Sequence, residues 1–177
     1  CKACGHRFPL FGSRSIGVLL SKGGVGKTTT SVNLSAGLAL AGYKVLLVDT
    51  DTQGQCSYML GVKPKAGLTE LVTGELGPKE TVVKARERLW LLAGGRSLAG
   101  VKRIIDRKDF GGEQTLAETL KPLESKFDYI IIDCPPSLSL LTLNALTAAD
   151  SVLIPLQSEF FALEGLGQLL ETIKRIK

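Results

Sequence analysis

No stretch of the 177-residue sequence stays apolar for the roughly 18 residues that a membrane-crossing helix needs, and no secretory signal stands at its start. The expectation is a domain that neither spans a bilayer nor is exported. Cysteine is scarce, with four residues (Cys1, Cys4, Cys56 and Cys134) at irregular positions. That spacing argues against a disulfide scaffold and makes a reducing cytoplasm the expected setting. Neither an internal repeat nor a low-complexity linker is present, which argues against repeat arrays. Charge of one sign is not in large excess: 22 basic against 17 acidic residues leave +5, which permits an anionic partner without demanding one.

What is present is a 44% hydrophobic chain, enough for one well-buried domain or for most of a larger one. It opens on Cys1 rather than Met and stops at Lys177 inside a helix-like pattern, so a fragment is expected. Residues 1–15 differ in composition from the rest and read as an appended tail; residues 16–177 read as the domain proper. Within it, apolar runs alternate with helical patterns. Ile16–Leu20, Val45–Val48, Leu89–Ala93, Tyr129–Ile132 and Val152–Ile154 are five strand candidates. Helices are expected from about Thr28 to Ala41, ending at Gly42, and over Leu68–Thr73 and Ser97–Arg107. A further helix carries Leu116, Leu120 and Leu123, which Pro122 should kink or end. A last one carries Leu166, Leu169, Leu170, Ile173 and Ile176 on its apolar face. Alternation of this kind predicts a parallel sheet covered by helices on both faces, with ligands at the carboxyl ends of the strands.

The most informative segment is Lys22-Gly23-Gly24-Val25-Gly26-Lys27-Thr28, followed by Thr29, between the first strand and the first helix. Glycines let the backbone fold tightly so that N–H groups point at a polyphosphate, and the helix adds its positive end. Lys27 supplies a point charge to the β- and γ-phosphates, and the Thr28 hydroxyl suits Mg²⁺. Ser21 stands where the ordinary phosphate-loop pattern wants glycine, and a second lysine, Lys22, heads the loop instead. Two other segments end apolar strands in carboxylates: Val45-Leu-Leu-Val-Asp49-Thr-Asp51-Thr-Gln53-Gly54 and Tyr129-Ile-Ile-Ile-Asp133-Cys-Pro-Pro-Ser137.

Together these segments resemble the deviant Walker A group of P-loop ATPases that includes ParA, MinD and the nitrogenase iron protein, over about residues 16–177. Thr52 replaces the proline usual in the Asp-x-Asp-Pro-Gln segment. Leu143-Asn-Ala-Leu146 and Asp150-Ser-Val-Leu-Ile-Pro155 continue the likeness. The Pro135–Ser137 segment and the Leu141–Leu146 stretch are closer to ParA/Soj-type partition proteins than to division-site proteins. The resemblance implies a P-loop NTPase-type sheet that here lacks its C-terminal part, and an ATPase that uses Mg²⁺ and is slow without a partner. It further implies Asp51 as the group that orients the attacking water, with Thr28 and Asp133 at the Mg²⁺. Asp49 belongs near the ion or in the first switch segment. Lys22 is expected to reach the nucleotide of a second subunit in an ATP-dependent homodimer. Partners implied are non-specific DNA and a ParB-like stimulating protein, with nucleoid association in the cytoplasm. The plain alternatives are a turn-capping role for either Asp and a purely intrachain contact for Lys22.

A membrane-positioned regulator of the MinD type is the competing reading; it would need an amphipathic helix beyond Lys177. An iron-protein role would need cluster cysteines, and Cys56 and Cys134 show no such pattern. ATP acting only as a conformational switch is a third reading. Cys1-x-x-Cys4-x-His6 is half of a zinc ribbon, and a metal-free tail is the simpler expectation. Arg96, Lys102, Arg103, Arg107 and Lys108 concentrate positive charge, which fits a solvated helix face or a nucleic-acid surface.

Overall fold

The computed structural model describes residues 14–20, 22–106, 111–137, 139–157, 166–167 and 169–174. A six-stranded sheet forms its centre: β1 (Arg14–Val18), β2 (Val45–Asp49), β3 (Val82–Arg86), β4 (Leu89–Leu92), β5 (Tyr129–Asp133) and β6 (Ser151–Leu153), in the spatial order β3-β4-β2-β5-β1-β6. All pairings are parallel except β3 against β4. The helices are α1 (Lys27–Leu40), α2 (Gln55–Leu60), α3 (Leu68–Thr73), α4 (Pro78–Thr81), α5 (Leu98–Asp106), α6 (Thr115–Glu124) and α7 (Leu140–Ala148).

The apolar runs explain the layering. Alternate residues of one strand enter different cores: Val45 and Leu47 of β2 join Ile131 and Val32 on the α1 side, whereas Leu46 and Val48 join Ile130, Ile132, Leu116 and Ala145 on the α6–α7 side. A strand buried on both faces must be apolar throughout, as these are. Each fully buried Leu or Ile is worth about 2 kcal/mol relative to exposure. α1 turns a narrow stripe of small residues to the sheet, with Ser31 and Ser35 both 0% exposed. Their hydroxyls bond back to the Lys27 and Ser31 carbonyls, so no polar atom is stranded. The helix ends as its glycine predicts: Gly42 sits at φ 97°, its N–H meets the Ala39 carbonyl, and the Tyr43 N–H meets that of Leu38.

β1 starts at Arg14, so the last two residues of the expected tail belong to the sheet, and four further details differ from expectation. The sheet has a sixth strand, β3, antiparallel at the edge. Its hairpin turns through Glu87 and Arg88, the latter at φ 56°, so neither Gly nor Asn marks it. Second, α2, α4 and α7 were not anticipated; α2 is a short helix bounded by left-handed Gly54 and Gly61. Third, α6 runs through Pro122 and stops at Glu124. The proline lies in the last turn, and Glu118, the residue one turn back, is exposed. Fourth, in the last helical segment Leu169 is buried and Ile173 packs on the core, but Leu170 is 46% exposed. Among the described residues no helix is long and apolar enough to cross a membrane. Residues 1–13, with the half zinc ribbon, Arg107, Lys108, Ile176 and the side chain of Lys102 lie outside the described residues.

Register sets the site. Asp133 pairs with Val18 on one side and with Asp49 on the other, so three strand tips end level with one another. The chain leaves β1 there, crosses over β5 by way of α1, and returns as β2. β5 in turn passes over β1 by way of α7 to reach β6, so the connections of β1 and β5 run opposite ways, and α/β sheets hold ligands at such a switch point.

Candidate functional site

Beyond β1, buried Leu19 and Leu20 lead into the loop at residues 22–26. Gly24 (φ 74°) and Gly26 (φ 85°) adopt left-handed backbone, and an added Cβ would meet nothing at either. The dihedral angle, not crowding, requires glycine. Between them Val25 drops its side chain into the core at 8% exposure, which ties the loop to the fold beneath it. Gly26 caps α1 without any side-chain bond, so the first-turn amides keep no intrahelical partner at the positive end of the helix. The Lys27 ammonium donates to the Lys22 carbonyl at 2.6 Å, closing the loop across its base. Burial lowers the Lys27 pKa below its usual value, and the Asp133 and Asp51 carboxylates oppose that shift.

Asp133 is 1% exposed and has both oxygens engaged. Oδ2 accepts the Thr28 hydroxyl at 2.8 Å, and Oδ1 accepts that of Ser31 at 2.7 Å. Burial pushes its pKa up, and these two donors pull it back. Asp49 is equally buried; it accepts the Asp51 N–H at 2.9 Å and the Cys56 N–H at 3.2 Å. Burial raises its pKa to about 7, despite those amide donors and with Asp133 adding to the rise. The Cys56 thiol donates to Asp133 Oδ2 at 3.5 Å, and Asp49, Cys56 and Asp133 bring one ligand atom each within 4.8 Å of one another. Burial pushes the thiols of Cys56 and Cys134 well up, so both are neutral at physiological pH. Asp51 is partly buried. Its Oδ1 accepts the Gln53 N–H at 3.0 Å, and its carbonyl accepts those of Gly54 and Gly95 at 3.2 and 3.1 Å.

These groups border one open cleft of about 310 Å³, lined by Gly23, Gly24, Gly26, Lys27, Thr28, Thr29, Asp51 and Pro136. Asp133 joins the cleft through its bond to Thr28, while Asp49 is buried and Lys22 is not among the lining residues. Of the basic stretch, Arg96 and Arg103 are exposed and do not line the cleft. The cleft can take a polyphosphate: backbone amides and one ammonium face it, and a hydroxyl–carboxylate pair offers hard oxygen donors to a divalent cation. Three contributors escaped the sequence reading. Ser31 lies one turn after Thr28 on the same helix face, so spacing alone could have found it. Thr50 and Cys56 carried no such signal, because their contacts depend on how the strand tips meet.

Comparison with known proteins agrees with this geometry. The profile of a family described as AAA domain matches residues 13–177. The chain is 46% identical over 168 residues to the chromosome partitioning protein ParA of Myxococcus xanthus, covering 93% of this chain and 59% of that protein. It is 47% identical over 167 residues to the sporulation initiation inhibitor protein Soj of Bacillus subtilis, covering 92% and 65%. A solved structure of cobyrinic acid a,c-diamide synthase from Mycobacterium smegmatis, with bound ATP analog and magnesium, superposes with a TM-score of 0.86 at 41% identity, covering 93% and 68%. The chain thus spans 59–65% of the length of these two curated relatives.

Proposed function

Since the chain belongs to the ParA/Soj family of partition ATPases, we propose that it binds ATP with Mg²⁺, hydrolyses it, and serves the partition of DNA. The observation that carries this reading is the Thr28–Asp133 hydrogen bond at the floor of the glycine-loop cleft. A hydroxyl that gives its proton to a buried carboxylate turns its lone pairs outward, which is the donor set a hard cation accepts. Thr28 and Asp133 would hold Mg²⁺, with Asp49 adjoining them. When bound, the ion would supply positive charge that offsets the negative charge of the phosphates.

The chain's own residues supply the rest. Amides of residues 23–29 and the Lys27 ammonium hold the phosphates. Asp51, on the cleft wall beside Lys27 and Thr28, orients the attacking water in line with the γ-phosphate. Pro136 lies on the same wall, and the Pro135–Ser137 segment senses that phosphate. Lys22 acts in an ATP-dependent homodimer by reaching the nucleotide of the second subunit. In this reading the dimer holds non-specific DNA, and a ParB-like protein stimulates turnover that is slow without it. The protein would work in the cytoplasm, on the nucleoid. The likeness to a synthase bound to ATP analog and magnesium supports the nucleotide part of this reading alone. Measuring phosphate release from MgATP, with and without duplex DNA and a ParB-like protein, tests it; the absence of any release under all conditions would overturn it.

A further inference from the structure

Thr50 stands between the two carboxylates Asp49 and Asp51, and its side chain is 0% exposed. The β2–β5 ladder ends at the pair Asp49–Asp133, so Thr50 is the first residue beyond it. There it makes two bonds to a single atom: its N–H donates to the Asp133 carbonyl at 3.0 Å, and its hydroxyl donates to the same oxygen at 2.7 Å. Both lone pairs of that carbonyl are then filled. The side chain of the same Asp133 is held by Thr28 and Ser31. On the other side of Thr50, Asp51 is held through its backbone by Asp49, Gly54 and Gly95.

We propose that Thr50 is a positioning residue for the reaction: its hydroxyl fixes the Asp51 loop relative to the Asp133 end of the site. The need for this follows from geometry. Asp51 lies on a loop outside the sheet, whereas Asp133 and Thr28 belong to β5 and α1, and an in-line displacement loses rate when reacting groups drift by an ångström. The backbone bond alone leaves a hinge at one point. A second bond from a β-branched side chain, with few rotamers to choose from, removes that freedom. Valine would fill the same volume without the donor, and serine would keep the donor without the methyl group.

This inference rests on the reading of Asp51 as the residue that orients water, and the test separates the two. Thr50→Val, Thr50→Ser, Thr50→Ala and Asp51→Asn are made in the full chain. Phosphate release, affinity for a non-hydrolysable ATP analogue with Mg²⁺, and thermal midpoint are measured for each. The expected result is that T50V loses about tenfold in kcat, as one lost hydrogen bond allows, with analogue affinity within about twofold of wild type. T50S restores most of the rate, and T50V made in the D51N background adds no further loss. If T50V does not fold, T50A against T50S carries the same comparison, and equal rates for those two would overturn the proposal. Wild-type kcat in T50V with D51N inactive would overturn the role of Thr50 and leave that of Asp51. An active D51N would instead overturn the reading of Asp51.

Discussion

Thr28 and Asp133, 105 positions apart in sequence, meet through a 2.8 Å hydrogen bond from hydroxyl to carboxylate. This contact joins the first turn of α1 to the tip of β5, and it puts the two candidate cation donors side by side under the glycine loop. Its existence depends on the register of β1 against β5, which sets Val18 level with Asp133. Three predictions concern groups near it, and a fourth concerns the packing of α6 and α7.

Lys27→Ala should abolish detectable MgATP binding while leaving the fold intact. The lysine is the loop's one ammonium lining the cleft among the described residues, and its removal takes away the charge complement of the β- and γ-phosphates. Calorimetry on wild type and variant would show it, and equal affinities would refute the assignment of the loop.

Asp51→Ala should keep ATP affinity and lose phosphate release. Asp49→Ala differs, because Asp49 braces the Asp51 and Cys56 amides and its loss should lower the thermal midpoint as well. Turnover that survives in the Asp51 variant and fails in the Asp49 variant would reverse the two roles.

Lys22→Ala should bind ATP yet no longer dimerise with it. Lys27 already carries the charge for its own subunit's phosphates. A second ammonium at the same phosphates would repel the first, so Lys22 gains most by meeting a second subunit's nucleotide. Light scattering with ATP and with ADP, in an Asp51→Ala background to block turnover, reads the outcome. A variant that dimerises normally would confine Lys22 to its own chain.

Asn144→Ala should destabilise the domain by about 1–3 kcal/mol, the cost of orphaning a buried donor. Asn144 is fully buried on α7; its Oδ1 accepts the Leu116 N–H at 3.0 Å, and its Nδ2 donates to the Leu140 carbonyl. It thus caps the first turn of α6 from another helix, since Gln114 supplies no side-chain cap. Thermal unfolding should show a midpoint lower by several degrees with nucleotide affinity preserved. An unchanged midpoint would mean that water replaces the lost acceptor.

The fold was legible where the chemistry is local. A strand that must be apolar on both faces, a glycine at positive φ and a helix stop at Gly42 each leave a mark in the order of residues. The hairpin of β3 and β4 left none, because Arg88 takes a left-handed conformation usually given to glycine or asparagine. In the site, the loop and the carboxylates at strand ends could be read directly. Thr50 and Cys56 could not, since each is defined by a partner on β5 fixed only by strand register. Pro122 shows the limit of a local rule, as its cost depends on whether the carbonyl one turn back is wet or buried.

Val25, anchored in the core between two left-handed glycines, has a thermodynamic consequence. A phosphate loop nailed to the hydrophobic interior is built when the domain folds, so ligand binding need not order it and the entropy of closing that turn is met beforehand. Folding and nucleotide competence then form one cooperative transition. Saturating ligand at a hundred times its dissociation constant should shift the whole unfolding curve by about 2.7 kcal/mol, with no separate early melting of the loop.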